Sequence, residues 1–252
     1  MVILMSLFET DPRLERVHRF FSGTGSTYDR MVHYTTFGID GRWKKRIVDL
    51  IPAHAGRVLD LACGTGILTL AIAKRYPHCH VIGVELRDEY LSIAQRKVRE
   101  ERIQNVEFVL SRAEDYRSLT PFDCIVSSYL AKYAHLKRLT ANAGHMLNDQ
   151  GLILMHDFMY PPNPLLVGIW RLYFWLLQRV GSRLFPAWRE IYSGLPELIE
   201  ETRWLAELPE ALTEEQFSDI RLEYLTLYGS AIVTAKKGLT TTATAPARCQ
   251  GA

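Results

Sequence analysis

The stretch VLDLACGTG, residues 58–66, decides the fold. Val58, Leu59 and Leu61 form a short apolar run introduced by Gly56, which reads as a buried strand. Gly64 and Gly66 then turn the chain, and Ile67, Leu70, Ala71 and Lys74 follow at helical spacing. Strand, glycine turn and helix in that order make the first unit of an α/β sheet. Downstream the alternation repeats, with strands over 80–86, 105–111 and 122–130 and helices over 88–100 and 134–148. Asp149-Gln150-Gly151 turns into a fifth strand over 152–158, and upstream Trp43, Ile47 and Ile51 mark one face of a helix over 40–51. Residues 1 to 30 are mixed, and 21–29 read as a loop broken by Gly23 and Gly25. Near the end of the chain, the short Tyr228-Gly229 link between two strand-like runs (Ile220 to Leu227, Ser230 to Lys236) can join only antiparallel neighbours. The expectation is therefore a doubly wound, mostly parallel, seven-stranded sheet with an antiparallel C-terminal strand. Residues 159–212 break the alternation and are expected to be a helical lid insert over one rim of a domain spanning 1–238. Residues 239–252 lack periodicity and are expected to be a disordered tail.

Composition narrows the function. The chain has 252 residues, 48% of them hydrophobic, enough for one globular domain with a large core. Thirty basic against 28 acidic residues leave a net charge of +2, too balanced to call for nucleic acid. Cys63, Cys79, Cys124 and Cys249 lie far apart without a CxxC pair, so neither a disulfide framework nor a zinc knuckle is expected. Neighbouring side chains of His78-Cys79-His80 point different ways at a strand start, so they do not make a metal site. A reducing, cytoplasmic compartment is the expectation. The N-terminal MVILMSLFET lacks a basic region and does not read as a signal peptide, and no apolar run is long enough to span a bilayer.

The glycine turn selects the cofactor class. A dinucleotide site wants three glycines as GxGxxG, and here Thr69 stands at the third. Asp60 at the strand end would also repel a phosphate. S-adenosylmethionine carries an ammonium and a sulfonium and no phosphate, so a carboxylate there suits it. Glu85, at the end of the second strand, is placed to accept from two ribose hydroxyls. Asp60, Gly64, Gly66 and Glu85 thus favour S-adenosylmethionine over NAD.

The chain also resembles a known family from about Phe21 to Lys237. Besides VLDLACGTG, the resemblance rests on Tyr28-Asp29-Arg30-Met31, on Phe37-Gly38-Ile39-Asp40 with Trp43 and Lys44, on Pro161-Pro162-Asn163-Pro164-Leu165, and on Tyr192 with Leu195-Pro196-Glu197. These strings look like those of class I S-adenosylmethionine-dependent methyltransferases, and within them the ubiquinone/menaquinone biosynthesis C-methyltransferases. The resemblance implies a methyltransferase domain acting on a prenylated quinol or related aromatic. It implies cofactor contacts from Asp60, Ala62, Gly64, Gly66, Glu85, Leu86, Ala113, Glu114 and Ser127. Two departures stand out: Ser111-Arg112-Ala113-Glu114 replaces the family's Gly-Asp-Ala-Glu, and Ala131-Lys132 replaces an arginine-asparagine pair.

Methylating a ring carbon requires removing a phenolic proton, which calls for a base at the rim. The candidates are Tyr28, Tyr133, His156 and Asp157, with the last two expected on opposite faces of their strand. Trp170, Tyr173, Phe174 and Trp175 crowd an apolar segment over 161–185 that also holds Arg171, Arg179 and Arg183. That pattern fits either an ordinary buried helix or one that receives a greasy tail and touches a membrane surface. Other functions stay open at this level: the same chemistry on another small molecule or lipid, or a non-catalytic cofactor-binding protein in a biosynthetic complex. An NAD oxidoreductase is the remaining alternative.

Overall fold

β1 (Arg57–Leu61) lies in the middle of the sheet because Val58, Leu59 and Leu61 are apolar on both of its faces and fully buried. It pairs in parallel with β2 (His80–Glu85) on one side and β4 (Phe122–Ser128) on the other, with Asp60 level with Gly83 and Val126. In this computed structural model, which describes residues 11–239, β3 (Val106–Leu110), β5 (Leu147–Phe158), β6 (Phe217–Leu225) and β7 (Ser230–Lys237) complete the sheet. The order is β3-β2-β1-β4-β5-β7-β6, and β7 runs antiparallel to both neighbours. The expected seven strands and the antiparallel strand are both present. The order reverses between β1 and β4, which opens a crevice at their C-terminal ends, where ligands bind in such sheets.

Two helical layers sandwich the sheet. α3 (Ile39–Leu50) and α4 (Ile67–Arg75) bury Ile47, Val48, Leu68 and Ile72 against Val58, Val81 and Val126. α6 (Leu136–Met146) and α10 (Trp204–Glu214) bury Leu139, Met146, Trp204 and Leu208 against Leu59, Ile125 and Ile153. α5 (Asp88–Glu101) links β2 to β3. A third core sits above the strand ends. It joins α1 (Pro12–Phe21), α2 (Tyr28–Thr35) and α9 (Arg189–Glu201) through Phe20, Met31, Trp188, Ile191 and Tyr192. α7 (Pro164–Leu176), a single π turn over 177–181 and the short α8 (Ser182–Leu184) complete the rim.

Three expectations need correction. Residues 12–21, read only as mixed, are a helix, and the loop expected over 21–29 is confined to 22–27: Asp11 caps α1 by accepting from the Arg13 amide at 3.0 Å, with Pro12 in the first turn, and α2 begins at Tyr28. The helix over 134–148 ends at Met146, since Leu147 already pairs with Phe122. The insert over the rim ends before Trp204, because α10 buries Trp204, Leu208, Ala211 and Leu212 in the sheet core. Residues 1–10 and 240–252, including Cys249 and nearly all of the expected tail, lie outside the described residues.

Candidate active site

The turn after β1 spends its own amides internally. The Gly64 N–H donates to Glu85 Oε2 at 2.9 Å, the Cys63 N–H to the Val84 carbonyl and the Gly66 N–H to the Cys63 carbonyl. A phosphate at this turn would find those three donors taken. The turn instead presents carboxylates. Glu85 also accepts from the Arg87 amide at 2.8 Å, and its oxygens help line a cavity of about 110 Å³ with Ala62, Gly64, Leu86, Ala113 and Glu114. Asp60 lies beneath in a smaller void with Ala62, Gly64 and Ser128. Its Oδ2 accepts from the Thr69 hydroxyl at 2.6 Å, while Oδ1 is buried without a partner. Burial pushes the Asp60 carboxyl up to about 7, and Lys44 opposes that rise only in part. An unpaired buried carboxylate oxygen beside a second buried carboxylate fits a cationic ligand with a diol, and so fits S-adenosylmethionine. Gly64 holds φ +58°, a left-handed conformation that favours glycine.

α1 lies across this cavity. Arg13, Leu14, Val17 and Phe21 form its outer wall. Arg112 holds the helix there, donating to Asp11 at 2.5 Å and to Glu114 at 2.9 Å. The departure from the family string therefore joins the helix cap to the pocket wall. Asp29 fastens α2 in a similar way: it accepts from the Thr65 hydroxyl at 2.5 Å and from the Lys97 ammonium.

A second cavity of about 350 Å³ opens beside the first and shares Phe21, Tyr28, Tyr129 and Tyr133 with it. Its walls are aromatic and aliphatic, from α2, α7 and α9. Where the two cavities meet, Tyr129 holds φ +69°, a left-handed conformation that is costly outside glycine and that clusters at functional sites. Its surroundings fix it there. Its hydroxyl donates to Asp40 Oδ1 at 2.6 Å, its amide to the His156 carbonyl at 2.8 Å, and its ring stacks on Phe158 at 4.6 Å. Lys44 donates to the same Asp40 carboxylate. Lys132 reaches the junction from below, donating to Asp157 at 2.5 Å and to the Tyr129 carbonyl at 3.1 Å, with its ammonium 4.6 Å from the Tyr133 ring. Burial draws the Lys132 ammonium down while Asp157 holds it up.

The candidates named from sequence divide. Ala62, Gly64, Glu85, Leu86, Ala113 and Glu114 line the first cavity, and Asp60 the void below it. Gly66 and Ser127 line neither. A Cβ on Gly66 would meet Leu70 at 2.8 Å and Ala94 at 3.0 Å, so that glycine lets α4 and α5 approach. The Ser127 hydroxyl is fully buried and donates to Met155 Sδ; Ser128, one position on, lines the cavity. Tyr28 and Tyr133 line both cavities, and burial holds both phenols well above their ordinary range. His156 and Asp157 are fully buried and line neither cavity. His156 packs on Trp43 and Tyr129, its Nδ1 is 2.9 Å from the Ser128 hydroxyl, and burial with Lys44 and Lys132 nearby pushes it well below its ordinary value. It is a neutral support for Ser128 and Tyr129, not a base. Asp157 is committed to Lys132 and to the Phe158 amide at 2.7 Å. Tyr129 follows strand four, where the sequence leaves substrate contact and packing both open, whereas Asp40, Lys44 and Lys132 were not among the candidates. The change to Ala131-Lys132 was the visible sign for Lys132; the others meet only through the fold.

The profile of a family described as the ubiE/COQ5 methyltransferase family matches residues 9–237. A demethylmenaquinone methyltransferase of Listeria monocytogenes is 27% identical over 229 residues, covering 89% of this chain and 96% of the relative. A ubiquinone/menaquinone biosynthesis C-methyltransferase of Syntrophotalea carbinolica is 30% identical over 225 residues, covering 86% and 91%. Among solved structures, human N-acetylserotonin methyltransferase in complex with S-adenosylmethionine superposes with a TM-score of 0.60 at 16% identity, over 91% of this chain and 61% of that one; this likeness bears on the fold. With S-adenosylmethionine as its methyl donor, the chain belongs to the ubiE/COQ5 methyltransferase family.

Proposed function

We propose that this enzyme methylates a ring carbon of a prenylated hydroquinone in quinone biosynthesis. The observation that carries the reading is a buried ammonium, Lys132, facing an otherwise apolar cavity that adjoins the carboxylate-lined one. The bound cofactor supplies an electrophilic methyl group. The acceptor ring becomes nucleophilic when it loses a phenolic proton, and the cation of Lys132 in a low-dielectric pocket stabilises the resulting oxygen anion. Tyr129 and Asp40 offer the proton a route: Tyr129 Oη takes the phenolic proton as its own passes to Asp40 Oδ1, and once the ring carbon is methylated its hydrogen leaves as a proton to restore the aromatic ring while Asp40 and Tyr129 return theirs to the oxygen. Asp157 holds the ammonium, and His156 and Phe158 hold Tyr129. Asp60 and Glu85 would bind the ammonium and ribose of the donor, while Phe21, Tyr28 and Tyr133 exclude water between the two ligands. The aromatic walls from α7 and α9 would take the isoprenoid tail.

The test is to incubate the enzyme with isotopically labelled methyl donor and a reduced benzoquinol or naphthoquinol bearing a short isoprenoid tail. The expected product carries the label on a ring carbon, located by mass fragmentation. Label on an oxygen, or none on either ring class while a crude lipid extract becomes labelled, would replace the quinol with another lipid acceptor.

A further inference from the structure

We propose that α7 and the turn after it seat this enzyme on an anionic lipid bilayer, with the acceptor cavity opening into the membrane-facing patch. This rests on the prenylated-acceptor reading and adds a second binding partner to it. Leu165, Ile169, Leu172 and Leu176 recur at helical spacing along α7 and are 46–74% exposed, while Phe174 on the opposite face is buried. Trp175 in the last turn of α7, and Val180 and Leu184 beyond the helix, extend the exposed surface. A continuous apolar stripe of this kind marks an interaction surface.

Two features select a bilayer as its occupant. The first is charge. Arg179 and Arg183 end the stripe, both exposed, and among the described residues neither pairs with a carboxylate; Arg179 lies 5.6 Å over the Trp175 ring. A tryptophan and unpaired arginines beside an apolar stripe match the boundary between headgroups and acyl chains. The second is continuity. Three residues that line the acceptor cavity are also exposed: Phe37 at 78%, Ile169 at 58% and Leu227 at 76%. They form an apolar mouth, and Ile169 belongs to both the mouth and the stripe. A tail leaving this mouth meets apolar surface instead of water. No described helix is long and apolar enough to cross a membrane, so the contact is along the surface.

The test is sedimentation of the full chain with vesicles of phosphatidylcholine alone and with added phosphatidylglycerol, without donor or acceptor. The chain is expected to bind the anionic vesicles, and more weakly at high salt. The triple variant Leu165→Gln, Leu172→Gln, Leu176→Gln removes stripe residues outside the cavity. Its vesicle affinity should fall by about tenfold or more. Its turnover of a short-tailed acceptor in detergent should stay at the wild-type level, with reduced turnover of a long-tailed acceptor in vesicles. Arg179→Glu with Arg183→Glu should abolish the preference for phosphatidylglycerol. Equal vesicle binding by wild type and triple variant would overturn the proposal. So would a wild-type dimer that the triple variant converts to monomer in light scattering, since a second copy would then cover the stripe. Because the vesicle measurement uses no acceptor, its failure is separate from failure of the quinol reading.

Discussion

The two cavities meet at Tyr129 and are built on opposite principles. The donor side is polar, short in sequence and fixed by hydrogen bonds: the turn amides of Cys63, Gly64 and Gly66 and the carboxylates of Asp60 and Glu85 lie within 26 residues. The acceptor side is apolar and assembled from distant segments, and its one charged lining residue, Lys132, is held by Asp157. In the proposed function one side takes a fixed charge pattern and the other takes shape and hydrophobicity, with a single cation to act on the ring.

The contrast predicts separable damage. The largest effect is expected from Glu85→Ala, which removes the acceptor for the Gly64 and Arg87 amides. Charge-assisted bonds of this kind contribute about 1.5–3 kcal/mol each, so donor affinity should fall on the order of a hundredfold or more in calorimetry. A loss of only a few fold would mean the donor does not depend on this carboxylate. Next is Lys132→Met, expected to lower kcat by about a hundredfold while donor Kd stays unchanged. The single variant strands Asp157, at a cost of about 3–5 kcal/mol in denaturation, so the same kcat loss should persist in the restabilised double variant Lys132→Met, Asp157→Leu.

Smaller effects follow from pH and from α1. With the Asp60 carboxyl at about 7 in the free enzyme, a cationic donor must bind the ionised form. Donor affinity should therefore fall by about tenfold per pH unit below 7, and the profile should flatten in Asp60→Asn. Without donor, the raised value has the opposite sign for folding: its contribution is fully present below the ordinary carboxylate range and is lost as pH rises toward about 7. Least affected should be Arg112→Gln, which frees Asp11 and should speed donor release about severalfold in stopped flow, with little change in kcat. An unchanged release rate would show that α1 does not depend on Arg112.

What the sequence made legible follows the same divide. The glycine turn, its strand and Glu85 are neighbours in the chain or one crossover apart, so spacing reveals them. The antiparallel β7 was readable because Tyr228-Gly229 leaves no room for a crossover. Gly66 and Ser127 looked like ligand contacts because a motif names positions without saying which way each side chain faces. His156 and Asp157 looked like bases because alternation reports a face, not whether that face is covered; here α3 and the Lys132 loop cover both. Tyr129 and Asp40 are 89 positions apart and meet only once α3 packs beside β4. α1 carried a readable signal, an Asp11-Pro12 cap ahead of Leu14, Val17 and Phe21 at helical spacing, which reading residues 1–30 as mixed passed over.

α1 also has a kinetic corollary. In the proposed arrangement the donor lies behind this helix, whereas the mouth rimmed by Phe37, Ile169 and Leu227 opens only the acceptor cavity. With separate doors, spent nucleoside can leave while the greasy product still occupies its tunnel, and fresh donor can enter before that product diffuses away. Initial-rate plots should then show random rather than compulsory order of addition, and a doubly occupied dead-end complex should form at high donor concentration.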